Sequence, residues 1–219
     1  MRWGWERLAA LAGVIAVVLW VVGILIQEST DMPGDEPTGE EVLSWYVNDD
    51  QTILAAGFVF MLGALFFLVF LGALRVRLLA AEGPVGFLTA IAFAAGIAVG
   101  IFLLMLPAPD VAGALSNDEL NPDAALAVNT LGDMFFLGAE LSAALLLAAA
   151  GLLFIQTRVL HVWLGWASLV VALWLLIPPV GWAGLLLGFP LWTILVAVLL
   201  WMRPVVGEPV AARPPEPLH

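Results

Sequence analysis

Apolar residues along this chain form long, nearly unbroken runs that are separated by short polar segments. A helix needs about 20 residues to cross the roughly 30 Å hydrocarbon core of a bilayer. Six runs have this length or nearly so, at approximately 8–26, 52–74, 86–106, 134–155, 162–177 and 181–202. The pattern therefore predicts an all-α fold, a polytopic membrane helix bundle with six transmembrane helices.

Prolines mark the end of the fifth run and the middle of the sixth. Pro178 and Pro179 lack the backbone N–H that a helix needs, so they predict a tight turn between these two spans. Pro190 lies inside the sixth run, where it should kink the helix unless a neighbouring helix satisfies the freed carbonyl group.

The composition narrows the class of protein. Hydrophobic residues make up 63% of the chain, charged residues 11%, and the mean hydropathy is +1.07. Since soluble domains carry roughly 25% charged residues, a water-soluble globular fold is excluded. The chain has no cysteine, which excludes disulfides, zinc–thiolate sites and thiol nucleophiles.

The positive charges predict an orientation. If six spans are counted from a cytoplasmic N-terminus, every arginine falls on the inner side, and the outer connections 27–51 and 107–133 contain no cation. These arginines are Arg2, Arg7, Arg75, Arg77, Arg158, Arg203 and Arg213. Positive residues are retained on the cytoplasmic side, so both termini should be cytoplasmic and the protein a multi-pass protein of a bacterial plasma (inner) membrane. The first run exceeds the usual length of a signal-peptide core and no A-x-A site follows it, which indicates an uncleaved helix.

The first outer connection contains the signature of a short helix. Thr38 and Glu41 have the spacing of a capping box, and Val42, Trp45 and Tyr46 then share one helical face. We expect an amphipathic helix at about 39–47 that lies on the outer surface.

The fourth helix should begin well outside the membrane. Asn121, Pro122 and Asp123 supply an N-cap, a proline at the first helical position and a first-turn acid. A helix from there to about Gln156 would be roughly 52 Å long, which exceeds the bilayer thickness. We expect residues 1–203 to form the six-helix domain and the proline-rich residues 204–219 to form a disordered cytoplasmic tail.

The chain contains none of the common catalytic or nucleotide-binding motifs. The two histidines belong to no H-E-x-x-H sequence, and no G-x-S-x-G or Walker A sequence occurs. Eight acids occupy the first outer connection, but no calcium-loop pattern is present. The sequence therefore predicts no enzyme activity, no cofactor, no metal site and no catalytic residue.

One polar stripe enters the fourth run. Asn129, Asp133 and Glu140 lie on one side of the helix, because seven residues turn it by about 700°, and Asp133 and Glu140 are roughly 10 Å apart along the axis. One interpretation is a route for a cation or proton, or a polar substrate cleft, that opens outward. The other is structural, with a protonated Glu140 hydrogen-bonded to a neighbouring helix and Asp133 in water. The spans contain no cation to pair with either acid.

A stripe of small residues on the third run offers a packing face. Ala92, Gly96 and Gly100 are spaced so that a second helix can approach closely, either within the chain or in a second copy of it. The expected partners are the lipid bilayer and other membrane proteins or the protein itself, and not nucleic acid.

Three segments of the chain have a characteristic sequence: "EEVLSWYVNDD", "LGALRVRLLAAEG" and "LHVWLGWASLVVALWLLIPPVGW". In these segments the chain resembles a family of small six-helix membrane proteins of unknown function that is common in actinobacteria. This resemblance implies the fold, but no activity. Two functional hypotheses follow from the sequence: a structural or accessory component that acts through partners, and a small transporter that uses the stripe on the fourth helix.

Overall fold

The computed structural model describes residues 3–34 and 36–202, with side chains from Leu8 onward, and this part of the chain contains helices and turns but no strand. The predicted tail, 204–219, lies outside the described residues. The helices are α1 (Trp3–Gln27), α2 (Gly39–Asn48), α3 (Asp50–Glu82), α4 (Phe87–Met105), α5 (Ala108–Leu115), α6 (Pro122–Thr157), α7 (Val162–Leu175), α8 (Pro178–Ala183) and α9 (Phe189–Met202), with a π-helical segment, Gly184–Gly188, between α8 and α9.

Five helical stretches are long and apolar enough to cross a membrane. They are Leu8–Gln27, Asp50–Glu82, Phe87–Leu115, Pro122–Thr157 and Pro178–Met202. Large apolar side chains on the outside of the bundle fit this character, since Phe58 and Val170 are each 66% exposed. The fifth predicted span corresponds to α7, which has 14 residues and is therefore only about 21 Å long.

The long helices form a ring. Helix α1 packs on α3, α3 on α4, α4 on α6 and α6 on α7; α7 contacts the π segment that leads into α9, and α9 returns to α1. Helices α1 and α3 are antiparallel, because Gly23 lies against Phe60 whereas Gly13 lies against Phe70. Gly13 also lies against Ala197, so the first part of α1 meets the last part of α9.

The predicted small-residue stripe packs within the chain. A Cβ atom at Gly96 would overlap Leu71 of α3, a Cβ atom at Gly100 would overlap Leu68, and Ala92 is buried. These contacts favour the intramolecular interpretation of the stripe. Pairing of this stripe with a second copy stays a prediction.

The two proline sites of the sequence take different local forms. Helix α7 ends at Leu175 as the prolines predict, but the turn lies at 176–177, and the two prolines stand in the first turn of a new helix, α8. Before Pro190 the helix widens, and the Phe189 N–H donates to the Gly184 carbonyl five residues earlier. A π segment thus takes the place of a simple proline kink.

Helices α2 and α5 cover one end of the ring, which we call the α2 end. The predicted capping box is confirmed, with the Thr38 N–H donating to Glu41 Oε2 at 2.8 Å and the Glu41 N–H donating to Thr38 Oγ1 at 3.3 Å. The predicted apolar face is buried in a small separate core of Val42, Trp45, Tyr46, Ile53, Ala114 and Ala125. Helix α6 also begins as expected, because Asn121 Oδ1 accepts the Ala124 N–H at 2.9 Å.

Candidate functional site

A cavity of about 560 Å³ lies inside the ring at the α2 end. Its walls come from the second half of α1, the first half of α3, the junction of α4 and α5, the first half of α6 and the π segment. The polar lining residues are Gln27, Glu28, Asp110, Asn129 and Asp133. They stand near the ends of their helices and form the mouth. The aromatic lining residues are Trp20, Phe60, Phe136 and Phe189; they lie deeper along the helices and form the floor.

Asp110 joins four elements at the mouth. Its Oδ1 atom accepts hydrogen bonds from the Tyr46 hydroxyl and from the Asn129 amide, both at 3.1 Å. Its Oδ2 atom accepts one from the Gln27 amide at 3.5 Å. The donors belong to α2, α6 and α1, and Asp110 itself lies in the first turn of α5. This network sets the position of the mouth residues relative to one another.

Tyr46 is the part of this network that α2 contributes. Its ring is fully buried and lies over Gly113, where a Cβ atom would overlap the ring. Burial and then the negative charge of Asp110 raise the pKa of the Tyr46 hydroxyl. The hydroxyl therefore stays protonated and continues to donate to the Asp110 carboxylate at neutral pH.

The structure separates the three residues of the predicted polar stripe. Asn129 is half-buried at the mouth, where its amide is bonded to Asp110. Asp133 also lines the cavity, but its side chain is exposed and makes no hydrogen bond to any described residue. Both residues thus line the same space.

Glu140 is the third member of the stripe and does not line the cavity. Its side chain is only 7% exposed and forms no hydrogen bond within the described part of the chain. It lies against Gly181 of α8, since a Cβ atom at Gly181 would be 3.0 Å from Glu140 Oε1 and 2.9 Å from the Leu175 carbonyl oxygen. Glu140 thus faces the break between α7 and α8.

Aromatic rings pack closely in the floor of the cavity. The Trp20 ring centroid lies 6.1 Å from that of Phe189 and 6.3 Å from that of Phe60. The indole edge of Trp20 covers Gly63 of α3, and its Nε1 atom is buried without a hydrogen-bond partner among the described residues. The floor is therefore apolar and its rings are held in place by neighbouring helices.

The charged side chains that line the cavity are all acidic. Glu28, Asp110 and Asp133 are acidic, and no lysine, arginine or histidine belongs to its described lining. Nucleophile–base pairs are equally absent from that lining. No group of three histidine or acidic residues in the described part of the chain could hold a metal ion.

The sequence does not mark Asp110 as a site residue, because it stands in the outer connection 107–133 without a polar partner nearby along the chain. A signal was present, since Pro109 and Asp110 precede the apolar residues 111–115 in the manner of a helix start. That signal predicts α5, but not which helix α5 packs against. Gln27 and Glu28 carried no such signal, as they simply end the first apolar run.

No protein-family model, curated protein or solved structure matches this chain. The resemblance to the actinobacterial membrane proteins stays a prediction.

Proposed function

We propose that this protein is a six-span plasma-membrane protein that admits a small molecule from the outer side into the cavity at the α2 end. This is the transporter hypothesis of the sequence analysis, restricted to Asn129 and Asp133, the two residues of the stripe that line the cavity. The observation that carries it is the cavity itself, with a polar mouth and an aromatic floor between α1, α6 and the π segment. Its volume lies within the roughly 300–1,000 Å³ of small-molecule sites.

The orientation has support from the positions of the described arginines. Arg75 and Arg77 lie in the last quarter of α3, and Arg158 directly follows α6, so these cations stand at the end of the ring opposite the cavity. Cations are retained on the cytoplasmic side, which turns the cavity outward. The contact between Gly13 and Ala197 supports placing both termini on one side.

The number of membrane spans depends on whether the short helix α7 crosses the bilayer. Its apolar Val170 and Leu173 side chains are about two-thirds exposed, and this exposure suits contact with lipid. Helix α7 also packs against α6 through Gly151 and Gly165, each of which lies against the carbonyl group of the other. Together with the turn at 176–177 and helix α8, it can cross the bilayer as the fifth of six spans.

The orientation can be tested with single cysteines, because the chain has none of its own. Ser116 is exposed at the α2 end and Val85 is 89% exposed at the opposite end. In intact cells an impermeant maleimide should label Ser116→Cys and should label Val85→Cys only after the membrane is permeabilised. Labelling of Val85→Cys in intact cells would overturn the orientation.

Binding can be tested with three small probes that share one ring and differ in charge: benzyltrimethylammonium, benzyl alcohol and phenylmethanesulfonate. At least one should bind the purified protein saturably in isothermal titration calorimetry. Gly132→Leu should abolish that binding, because Gly132 lines the cavity and a Cβ atom there meets only the Leu106 carbonyl oxygen, at 3.9 Å. The matched control is Gly72→Leu, at an exposed helical glycine with nothing within 4 Å, and it should bind like the wild type.

The same experiment tests the competing hypothesis. A structural or accessory component that acts through partners has no use for an internal cavity, so it predicts that none of the three probes binds. That result would overturn the proposed function. Binding that Gly132→Leu leaves unchanged would also overturn it, because the ligand would then lie elsewhere.

A further inference from the structure

We infer that the ligand of this cavity is an organic cation, a molecule with one positive group and an apolar body. The inference rests on the proposed function and adds the chemical class of the substrate. Two features of the cavity support it: the negative charge of its mouth and the aromatic side chains of its floor.

The mouth is negative and has no compensating cation. Glu28, Asp110 and Asp133 line it, and the described lining includes no basic side chain. The described arginines are at the opposite end of the ring, where Arg75 already lies over the Phe93 ring at 5.0 Å. A low-dielectric wall focuses this negative field on the cavity, which favours a cation over a neutral molecule or an anion.

Two of the mouth carboxylates, Asp110 and Asp133, differ in their hydrogen bonding to the protein. Asp110 is bound by donors from Tyr46, Asn129 and Gln27, so its position is set by the protein. Asp133 has no hydrogen bond to a described residue. A neutral ligand would displace water from Asp133 without offering it a charge, whereas a cationic ligand would pair with this exposed carboxylate at the mouth. Asp133 is therefore the ligand-binding carboxylate, and Asp110 is a fixed source of negative potential.

A bare metal ion does not fit this lining, because no group of three acidic or histidine residues in the described part of the chain could hold one. A hard cation requires several oxygen ligands around it, and the floor offers the rings of Trp20, Phe60, Phe136 and Phe189 instead. Aromatic faces attract organic ammonium groups and also pack against apolar bodies. A ligand that spans mouth and floor should thus carry its charge near Asp133 and its apolar part near Trp20.

The three benzyl probes test this class separately from the proposed function. Benzyltrimethylammonium should bind the wild type roughly tenfold or more tightly than benzyl alcohol, and phenylmethanesulfonate should bind most weakly, as one partly screened carboxylate contact implies. Asp133→Asn should weaken binding of the cation roughly tenfold and leave benzyl alcohol unchanged. Equal binding of the cation and the alcohol, or an unchanged cation affinity in Asp133→Asn, would overturn the inference while the proposed function stands. Binding of no probe would overturn both.

A second readout measures the charge of the cavity without requiring any affinity. Gly132→Cys places one thiol in the cavity of a chain that has no other cysteine. Its rate of modification is measured with the cationic trimethylammonioethyl methanethiosulfonate and with the anionic sulfonatoethyl reagent. The ratio of the cationic rate to the anionic rate should exceed that of a free thiol by roughly tenfold. Adding Asp133→Asn should lower the ratio. A ratio equal to that of the free thiol would overturn the inference.

Discussion

Two acids on the same face of α6 have different surroundings. Asp133 lies at the mouth of a cavity and is exposed, whereas Glu140, two turns further along the same helix, is 7% exposed and lies against Gly181. Helical spacing places both on one side of α6. What each acid meets depends on the neighbouring elements: Asp133 lines the cavity, and Glu140 lies against Gly181 of α8.

The contrast shows which part of a polar stripe carries functional information. An acid that lines a space with other polar groups can serve a ligand, and an acid that fills a gap at a helix break can serve the fold. Pro178 and Pro179 cannot donate backbone hydrogen bonds, so carbonyl groups at the end of α7 lack their usual helical partners near Glu140. Glu140 occupies this irregular region, which gives it a structural setting that Asp133 lacks.

The largest expected effect comes from placing a positive charge at each position in turn. Glu140→Lys should lower the free energy of unfolding by about 3 kcal/mol, because it buries an ammonium group without a counter-charge. Asp133→Lys, at the exposed mouth, should change stability by only about 0.5 kcal/mol or less. Thermal unfolding of the purified variants in detergent checks both. Equal losses of stability would contradict the difference in burial.

The contact between Glu140 and α8 gives the next effect. Gly181→Ala should destabilise the protein by about 2 kcal/mol, because the new methyl group would lie 3.0 Å from Glu140 Oε1 and 2.9 Å from the Leu175 carbonyl oxygen. Gly72→Ala is the matched control, since its methyl group would meet nothing within 4 Å. Part of the loss should be recovered when Gly181→Ala is combined with Glu140→Ala, and strict additivity in this cycle would show that the two residues do not touch.

The sequence was sufficient for features that depend on local spacing. The capping box of Thr38 and Glu41, the start of α6 at Asn121 and the helix break at Pro178 are all confirmed, and each follows from residues within one or two turns. The sequence did not indicate that Asp110 would bind Tyr46 and Asn129, since these residues are 64 and 19 positions away. The π segment before Pro190 also depends on packing between helices, which periodicity alone does not specify.

In the hydrogen-bond network at the cavity mouth, Tyr46→Phe should lower the free energy of unfolding by about 1.5 kcal/mol. The change removes a hydrogen bond of 3.1 Å to a carboxylate and leaves the ring packing intact. Asp110 keeps the Asn129 and Gln27 donors, so the fold should survive. Chemical denaturation of the two proteins in the same detergent measures the difference. An unchanged midpoint would indicate that the Asp110 network does not stabilise the α2 end.

The pH dependence of the same hydroxyl has a defined sign. Burial and Asp110 raise the pKa of Tyr46 in the folded protein, whereas an unfolded tyrosine ionises near about 10. The unfolded chain therefore releases this proton first, and the stability that the protonated hydroxyl supplies is present below pH of about 10 and falls as the pH rises toward the folded value. Because Tyr46 is the only tyrosine, absorbance at the phenolate band reports it alone. Phenolate that forms near pH 10 in the folded protein would contradict this environment.

The smallest expected effect is the sharpest test of the division between Glu140 and the cavity. Glu140→Gln keeps the size of the side chain and removes only its ability to ionise, and no described residue donates a hydrogen bond to it. Stability should therefore change by about 0.5 kcal/mol or less. Binding of benzyltrimethylammonium should be unchanged, because Glu140 does not line the cavity. The matched variant is Asp133→Asn, which makes the same chemical change two turns away and should weaken that binding. If Glu140→Gln abolished binding while the fold survived, Glu140 would belong to the ligand path, and the stripe would act as a unit from Asn129 inward.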